Sequence, residues 1–170
     1  MSIIVREATP QEYDIIGSLL VKVYSQLDGF PKPEEQPAYY QMLQNIGDLT
    51  YKPGVRLFAA FDHSELLGAV VYFADMSQYG SGGIATKEKD AAGFRLLAVE
   101  PNQRGLGIGK LLTQKCIDQA QVDKLPQVVI HSTAAMKVAW GMYEKMGFQR
   151  SEDLDFMQQQ LPVYGFRLRL

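Results

Sequence analysis

The chain has very little cysteine, histidine or tryptophan: one Cys116, one Trp140, and two histidines, His63 and His131. A lone cysteine excludes an internal disulfide and any cysteine-rich metal site, so no metal is expected, and a reducing compartment fits. No stretch approaches the roughly 18 consecutive apolar residues that a membrane helix needs, so no membrane partner is expected. The opening Met1-Ser-Ile-Ile-Val-Arg-Glu7 has no basic segment followed by a long apolar one. A secretory signal is therefore not expected, and the cytoplasm is the expected location. There is no basic surplus either: 17 Lys and Arg stand against 19 Asp and Glu, a net charge of −2. A protein that lives on nucleic-acid backbones needs such a surplus, so nucleic acid is not an expected partner. Repeats and low-complexity segments are absent.

What is there describes a chain able to bury a core. Hydrophobic residues make up 46% and charged residues 21% of 170, which predicts one compact domain over residues 1–170. Residues 2–8 read as a strand rich in Ile and Val. Thr9-Pro-Gln-Glu12 matches a capping box with Pro10 at the first helical position, and an apolar stripe from Tyr13 to Tyr24 predicts a helix ending near Asp28-Gly29. A second helix is expected from about Glu34 to Ile46. Strands are expected at residues 55–61 and 66–76, joined by a turn that holds His63. The glycine-containing stretch from Ser77 to Ala91 reads as loop. Residues 93–99 end in a continuous apolar run, suited to a strand covered on both faces. A helix from Gly109 to about Val122 should bury Ile108, Leu111, Leu112, Cys116 and Ala120. A strand at residues 128–132, a helix from Ala135 to Met146 closed by Gly147, a loop around Pro162 and a last strand at residues 163–170 complete the pattern. Alternating helix and strand signals indicate a mixed α/β architecture.

The segment Leu97-Ala-Val-Glu-Pro-Asn-Gln-Arg104-Gly-Leu-Gly-Ile-Gly109-Lys110 carries the chemistry. A buried strand ends, a proline breaks it, glycines alternate, and an amphipathic helix begins. Alternating glycines let the backbone turn with its N–H groups exposed and no Cβ in the way. The helix start adds unpaired N–H groups and a partial positive charge. Together these make a site for a phosphate or diphosphate, with Arg104 and Lys110 as cationic partners. A nucleotide P-loop requires Gly-x4-Gly-Lys-Ser/Thr, and Arg104 and Leu111 break it. A dinucleotide turn requires Gly-x-Gly-x-x-Gly, and both registers, from Gly105 and from Gly107, fail. The pattern Arg/Gln-x-x-Gly-x-Gly/Ala is met by Arg104, Gly107 and Gly109.

With these residues the sequence resembles the GNAT superfamily of N-acetyltransferases. Val99 to Gly109 is similar to that family's pyrophosphate loop. Ala139-Trp-Gly-Met-Tyr143-Glu-Lys-Met-Gly-Phe148 is similar to its later helix, which ends in Tyr-x-x-x-Gly-Phe. The resemblance implies an α/β (α+β) GNAT-like domain. Its central mixed, mostly antiparallel sheet would have six to seven strands with one splayed parallel pair, flanked by about four helices. It implies acetyl-CoA as co-substrate, held by Leu97, Ala98, Val99, Arg104, Gly105, Leu106, Gly107, Ile108, Gly109 and Lys110, with Met136 and Trp140 beside it. The backbone of Leu97 and Val99 would meet the pantetheine arm, and Tyr143 would face the thioester sulfur. Two positions depart from common patterns: Met136 stands where many members carry Asn, and His131 where some protein N-terminal acetylators carry Glu. The implied acceptor is therefore a primary amine on a small molecule, and a homodimer is compatible with the family.

Acyl transfer from a thioester needs a neutral amine, although a lysine-like amine has a pKa of about 10.4. Positioning the reactants can lower the barrier by roughly 7–11 kcal/mol. A backbone N–H, expected at Val99, can hold the oxyanion. Tyr143 is the candidate acid for the departing sulfur and His131 the candidate base, directly or through water. Two other readings stand beside these: His131 as an inert histidine in an apolar strand, and Tyr143 as a packed aromatic. A non-catalytic acyl-CoA-binding module is the alternative function.

Overall fold

The computed structural model describes residues 1–170. Eight strands follow in chain order: β1 Ile3–Glu7, β2 Val55–Asp62, β3 Glu65–Phe73, β4 Ala92–Val99, β5 Gln127–Ser132, β6 Gln149–Arg150, β7 Phe156–Gln158 and β8 Leu161–Arg169. Four α-helices lie among them: α1 Tyr13–Ser25, α2 Pro37–Gln44, α3 Ile108–Val122 and α4 Lys137–Lys145. The sheet order is β1-β2-β3-β4-β5-β8-β6, with β7 paired to β8 alone. All pairings are antiparallel except β4 with β5. No helix is long and apolar enough to cross a membrane.

The sheet is covered on both sides, and its alternating side chains supply two cores. On one face, Leu57, Ala59, Val71, Phe73, Leu96, Ala98 and Val129 pack against Ile16, Leu20 and Tyr24 of α1 and Tyr40 and Leu43 of α2. On the other, Phe58, Ala60, Val70, Tyr72, Phe94, Val128 and Ile130 pack against Ile108, Leu112 and Cys116 of α3 and Tyr143 of α4. Because β2 to β5 are buried on both faces, they read as apolar runs instead of alternating patterns.

The entry to α1 follows its sequence signal. Glu12 Oε1 accepts the Thr9 N–H at 2.8 Å and both Glu12 oxygens take Arg6 Nη groups at 2.9 and 2.8 Å. The Arg6 hydrogen bonds hold the Glu12 carboxyl down at about 2.

Several boundaries differ from expectation. Helix α2 starts at Pro37, which occupies a first-turn position where its missing N–H has no cost. Leu111 is exposed; Thr113 and Ile117 take places on the buried face of α3. The turn before β8 is at Gln159, with φ of 56°, and Pro162 lies inside β8 opposite Met157 of the short edge strand β7. The stretch from Ser77 to Ala91 holds single helical turns at Met76–Gln78 and Ala85–Lys87, which bury Met76, Tyr79 and Ala85.

The feature that builds a site is the parting of β4 from β5. Only Ala92 with Val128 and Gly93 with Val129 pair. Two residues later the β3–β4 register slips between Ala69 and Val71, and Leu96 sits at φ of 61°. An extra residue in one strand bends it and raises its twist. The second half of β4 is thereby turned away from β5, and a gap opens through the sheet.

Candidate active site

A cleft of about 1800 Å³ runs through this gap from one face of the sheet to the other. Its first wall is the turn after β4. Gly105 and Gly107 have φ of 85° and 79°, the left-handed region that favours glycine. A Cβ added at either would meet nothing within 4 Å, so the space over the turn is open and a side chain would fill it. The N–H groups from Gly105 to Lys110 have no acceptor within the protein; the first paired amide is Leu111, which donates to Gly107 C=O at 3.0 Å. Six amides and the positive end of a 15-residue helix therefore converge on open space. That is a cradle for a diphosphate, and it fits the coenzyme that the glycine pattern suggests.

The second wall is the edge of β4. The Glu100 N–H bonds Leu67 C=O at 2.8 Å. The antiparallel alternation then directs the amide of Val99 to the opposite edge, toward the gap. The Leu97 carbonyl accepts the Tyr24 hydroxyl at 3.2 Å, tying α1 to the bent strand. Lys22 Nζ to Glu100 Oε1, at 2.5 Å, is a second tie.

The third wall is the end of β5. The hydroxyls of Ser132 and Thr133 are buried and have no partner within the protein. Buried polar groups are nearly always satisfied, so this pair marks a place where a polar ligand is expected. Nothing in their sequence context singled them out.

Tyr143 borders the cleft from α4. It is 5% exposed, with Phe94 and Phe148 at ring distances of 5.8 and 5.7 Å. Burial pushes its phenol well above the ordinary value, and nearby Tyr79 and Cys116 add to this. The phenol is thereby held protonated, as a hydrogen-bond donor at the cleft.

His131 is committed on both ring nitrogens. Nε2 lies 2.9 Å from Leu154 C=O and must carry the proton. Nδ1 then accepts the Tyr79 hydroxyl at 3.1 Å. Burial pushes the imidazole below its ordinary value; Leu154 C=O pulls it up, Arg95 pushes it down, and Asp155 pulls it up. The ring is neutral, and it lines the cleft together with Tyr79. Tyr79 is a residue that the sequence, read as loop there, did not reveal.

The remaining expected residues divide. Arg104, Ile108, Gly109, Lys110, Ala98 and Met136 line the cleft; Leu106 and Trp140 do not. Leu106 is 50% exposed on the outside of the turn. Trp140 packs edge-on against Tyr164 and Phe166, at 5.2 and 4.9 Å, under the Arg150 guanidinium. His63, at φ of 54° in the β2–β3 turn, is exposed and does not line the cleft. No group of three His, Cys, Asp or Glu side chains is arranged to hold a metal ion.

The charge of the lining is one-sided. Lys52, Arg95, Arg104, Lys110, Lys137 and Lys145 face it against the single carboxylate of Asp28, in a chain whose net charge is −2. The field inside favours anions.

Solved structures with this architecture include an acetyltransferase of the GNAT family from Staphylococcus aureus Mu50, 16% identical, covering 99% of both chains with a TM-score of 0.76. The PaiA N-acetyltransferase from Thermoplasma acidophilum, solved in complex with coenzyme A, is 14% identical over 97% of this chain and 98% of that one, TM-score 0.74. A ribosomal-protein-alanine N-acetyltransferase from Brucella melitensis is 16% identical over 98% and 99%, TM-score 0.70. At these identities the likeness establishes the fold. No curated protein matches the sequence significantly. The family model described as "Acetyltransferase (GNAT) family" matches residues 20–148, a span that contains the bent β4, the glycine turn, β5 and Tyr143. The chain belongs to the acetyltransferase (GNAT) family.

Proposed function

We propose that the protein is an acetyl-CoA-dependent N-acetyltransferase that acetylates a primary amine on a small molecule, by direct attack within a ternary complex. The observation that carries this reading is the row of unpaired amides from Gly105 to Lys110 beside the β4–β5 gap. Those amides, with Arg104 and Lys110, would hold the diphosphate. Ser132 and Thr133, with the edge of β4, would meet the polar groups of the pantetheine arm. When bound, acetyl-CoA supplies an activated acyl group and a thiolate leaving group.

The chain's own residues do the rest. The Val99 amide is the donor for the developing oxyanion. Tyr143 gives its proton to the sulfur. On the acceptor side, Tyr79 takes a proton from the amine while passing its own to Nδ1 of His131, which its hydrogen bond already reaches. His131 thus acts at one remove, a refinement of the direct or water-mediated base expected from sequence. Apolar residues, Phe156 and Met157 among them, line part of the cleft.

A second reading is a non-catalytic acyl-CoA-binding module, favoured by the double engagement of His131. Thiol release measured with acetyl-CoA and a panel of amines separates the two. Turnover that drops on Tyr143→Phe supports the enzyme. Coenzyme binding with no turnover on any amine supports the module.

A further inference from the structure

Arg95 lies on β4, between the last residue paired to β5 and the bulge at Leu96. Its neighbours Gly93 and Leu96 belong to the face covered by α1 and α2, opposite the face that carries α3 and α4. The guanidinium lines the cleft over the Tyr79 ring, 5.6 Å from its centre. One donor is used: Nη1 to Tyr79 C=O at 2.8 Å. Gly80 makes room for it, since a Cβ there would come within 3.1 Å of Nη1.

The other half-buried arginines of the molecule have carboxylate partners. Arg150 pairs with Asp155, and Arg167 with Glu88 and Asp153. Arg95 has none, and the only carboxylate in the cleft lining is Asp28. Four of its five N–H groups have no acceptor in the protein. A guanidinium out of bulk water and without a counter-ion carries a desolvation cost that an anion would relieve. Tyr39 lines the same cleft, its ring fixed among Tyr24, Phe30 and Tyr40 at 6.4, 5.8 and 5.7 Å. Its hydroxyl lines the cleft without a partner, unlike those of Tyr24, Tyr40 and Tyr79. The Arg95 charge also opposes the rise of the Tyr39 phenol that burial causes.

We infer that Arg95 and Tyr39 form a carboxylate subsite, and that the acceptor amine therefore also bears a carboxylate, as an amino acid does. This rests on the acetyltransferase reading above. The rigid fork matches two carboxylate oxygens, and the Tyr39 hydroxyl adds a third donor. The same cation repels polyamines and other acceptors with several positive charges. The diphosphate cradle, on the α3 face, accounts for the coenzyme's anionic end, so Arg95 has no part in holding it.

The test uses the purified chain with acetyl-CoA and matched acceptors: glycine and alanine, their amides, ethylamine, a polyamine, and phosphoethanolamine. Thiol release is followed for the wild type, Arg95→Gln and Arg95→Lys, each checked for native circular dichroism. The expected result is a kcat/KM about 10- to 100-fold higher for the amino acids than for their amides, the loss typical of removing a charge-assisted contact. That preference disappears in Arg95→Gln, mostly through KM, and returns only in part in Arg95→Lys. Equal rates with amides, preference for the polyamine, or faster reaction of phosphoethanolamine overturns the carboxylate assignment while leaving the acetyltransferase standing. Should no amine react, the enzyme reading fails, and the subsite is judged by thermal unfolding of the coenzyme-loaded protein with N-acetylglycine. A raised midpoint in the wild type that is lost in Arg95→Gln supports it; no rise overturns it.

Discussion

The Tyr79 hydroxyl donates to Nδ1 of His131 at 3.1 Å, while the opposite ring nitrogen is bound to Leu154 C=O. The imidazole is neutral, and in the proposed reaction it acts on the amine through that phenol. Tyr79→Phe should therefore lower kcat by about 100-fold, within the range for removing a general base. His131→Asn should lower it by a similar factor, and the double variant should be little worse than either single one, because both act on one proton path. Steady-state rates on the three variants check this; additive losses would contradict it.

The same pair sets a pH response. Burial, the largest cause, holds the His131 pKa below its ordinary value of 6.5. Between the folded value and 6.5 the unfolded chain binds more protons, so stability is fully present above 6.5 and falls as the pH drops through that window. The acid limb of kcat/KM should appear only as the pH falls through that lowered folded value, where Nδ1 becomes protonated and can no longer accept. Unfolding midpoints of wild type and His131→Phe, measured from pH 7.5 to about 5, should converge as the pH falls.

Gly107 stands at φ of 79° with open space where a Cβ would go. Gly107→Val should abolish acetyl-CoA binding by filling the cradle. The backbone strain costs the fold only about 1–2 kcal/mol. Calorimetric titration alongside a thermal melt separates the two effects.

Tyr143→Phe keeps the ring that packs on Phe94 and Phe148 and removes only the proton donor. Turnover should drop by about 100-fold with coenzyme affinity unchanged. Equal loss in both would mean that the hydroxyl serves binding.

Cys116 is buried on α3, and burial pushes its thiol well above the ordinary value. It should react with thiol reagents only on unfolding, which leaves thiol-release assays free of background from the protein.

The glycine turn, the strand before it and the Tyr143 helix were legible in the sequence because each depends on local rules: φ above zero, helix capping and apolar periodicity. The acceptor side was not. Tyr79 sits in a segment whose glycines read as loop, and its role comes from a partner 52 residues away. Arg95 lies in an apolar strand where nothing local reveals that no carboxylate faces it. Ser132 and Thr133 become informative only once their hydroxyls are found buried and unpaired. Trp140 and the Leu106 side chain carried the opposite lesson. The family resemblance put both residues at the coenzyme, but the helix phase turns Trp140 onto Tyr164 and Phe166, and Leu106 offers the cradle its amide while its side chain is half exposed. The bulge at Leu96, which opens the cleft, has no glycine to announce it.

The proposed reaction requires the free main-chain amides after β4 to hold the coenzyme's diphosphate. Titrating coenzyme A into 15N-labelled protein and following the backbone amide resonances tests it directly. Gly105 to Lys110 and Val99 should show the largest shifts, saturating together. Binding that leaves those amides unmoved, or no binding at all, would contradict it.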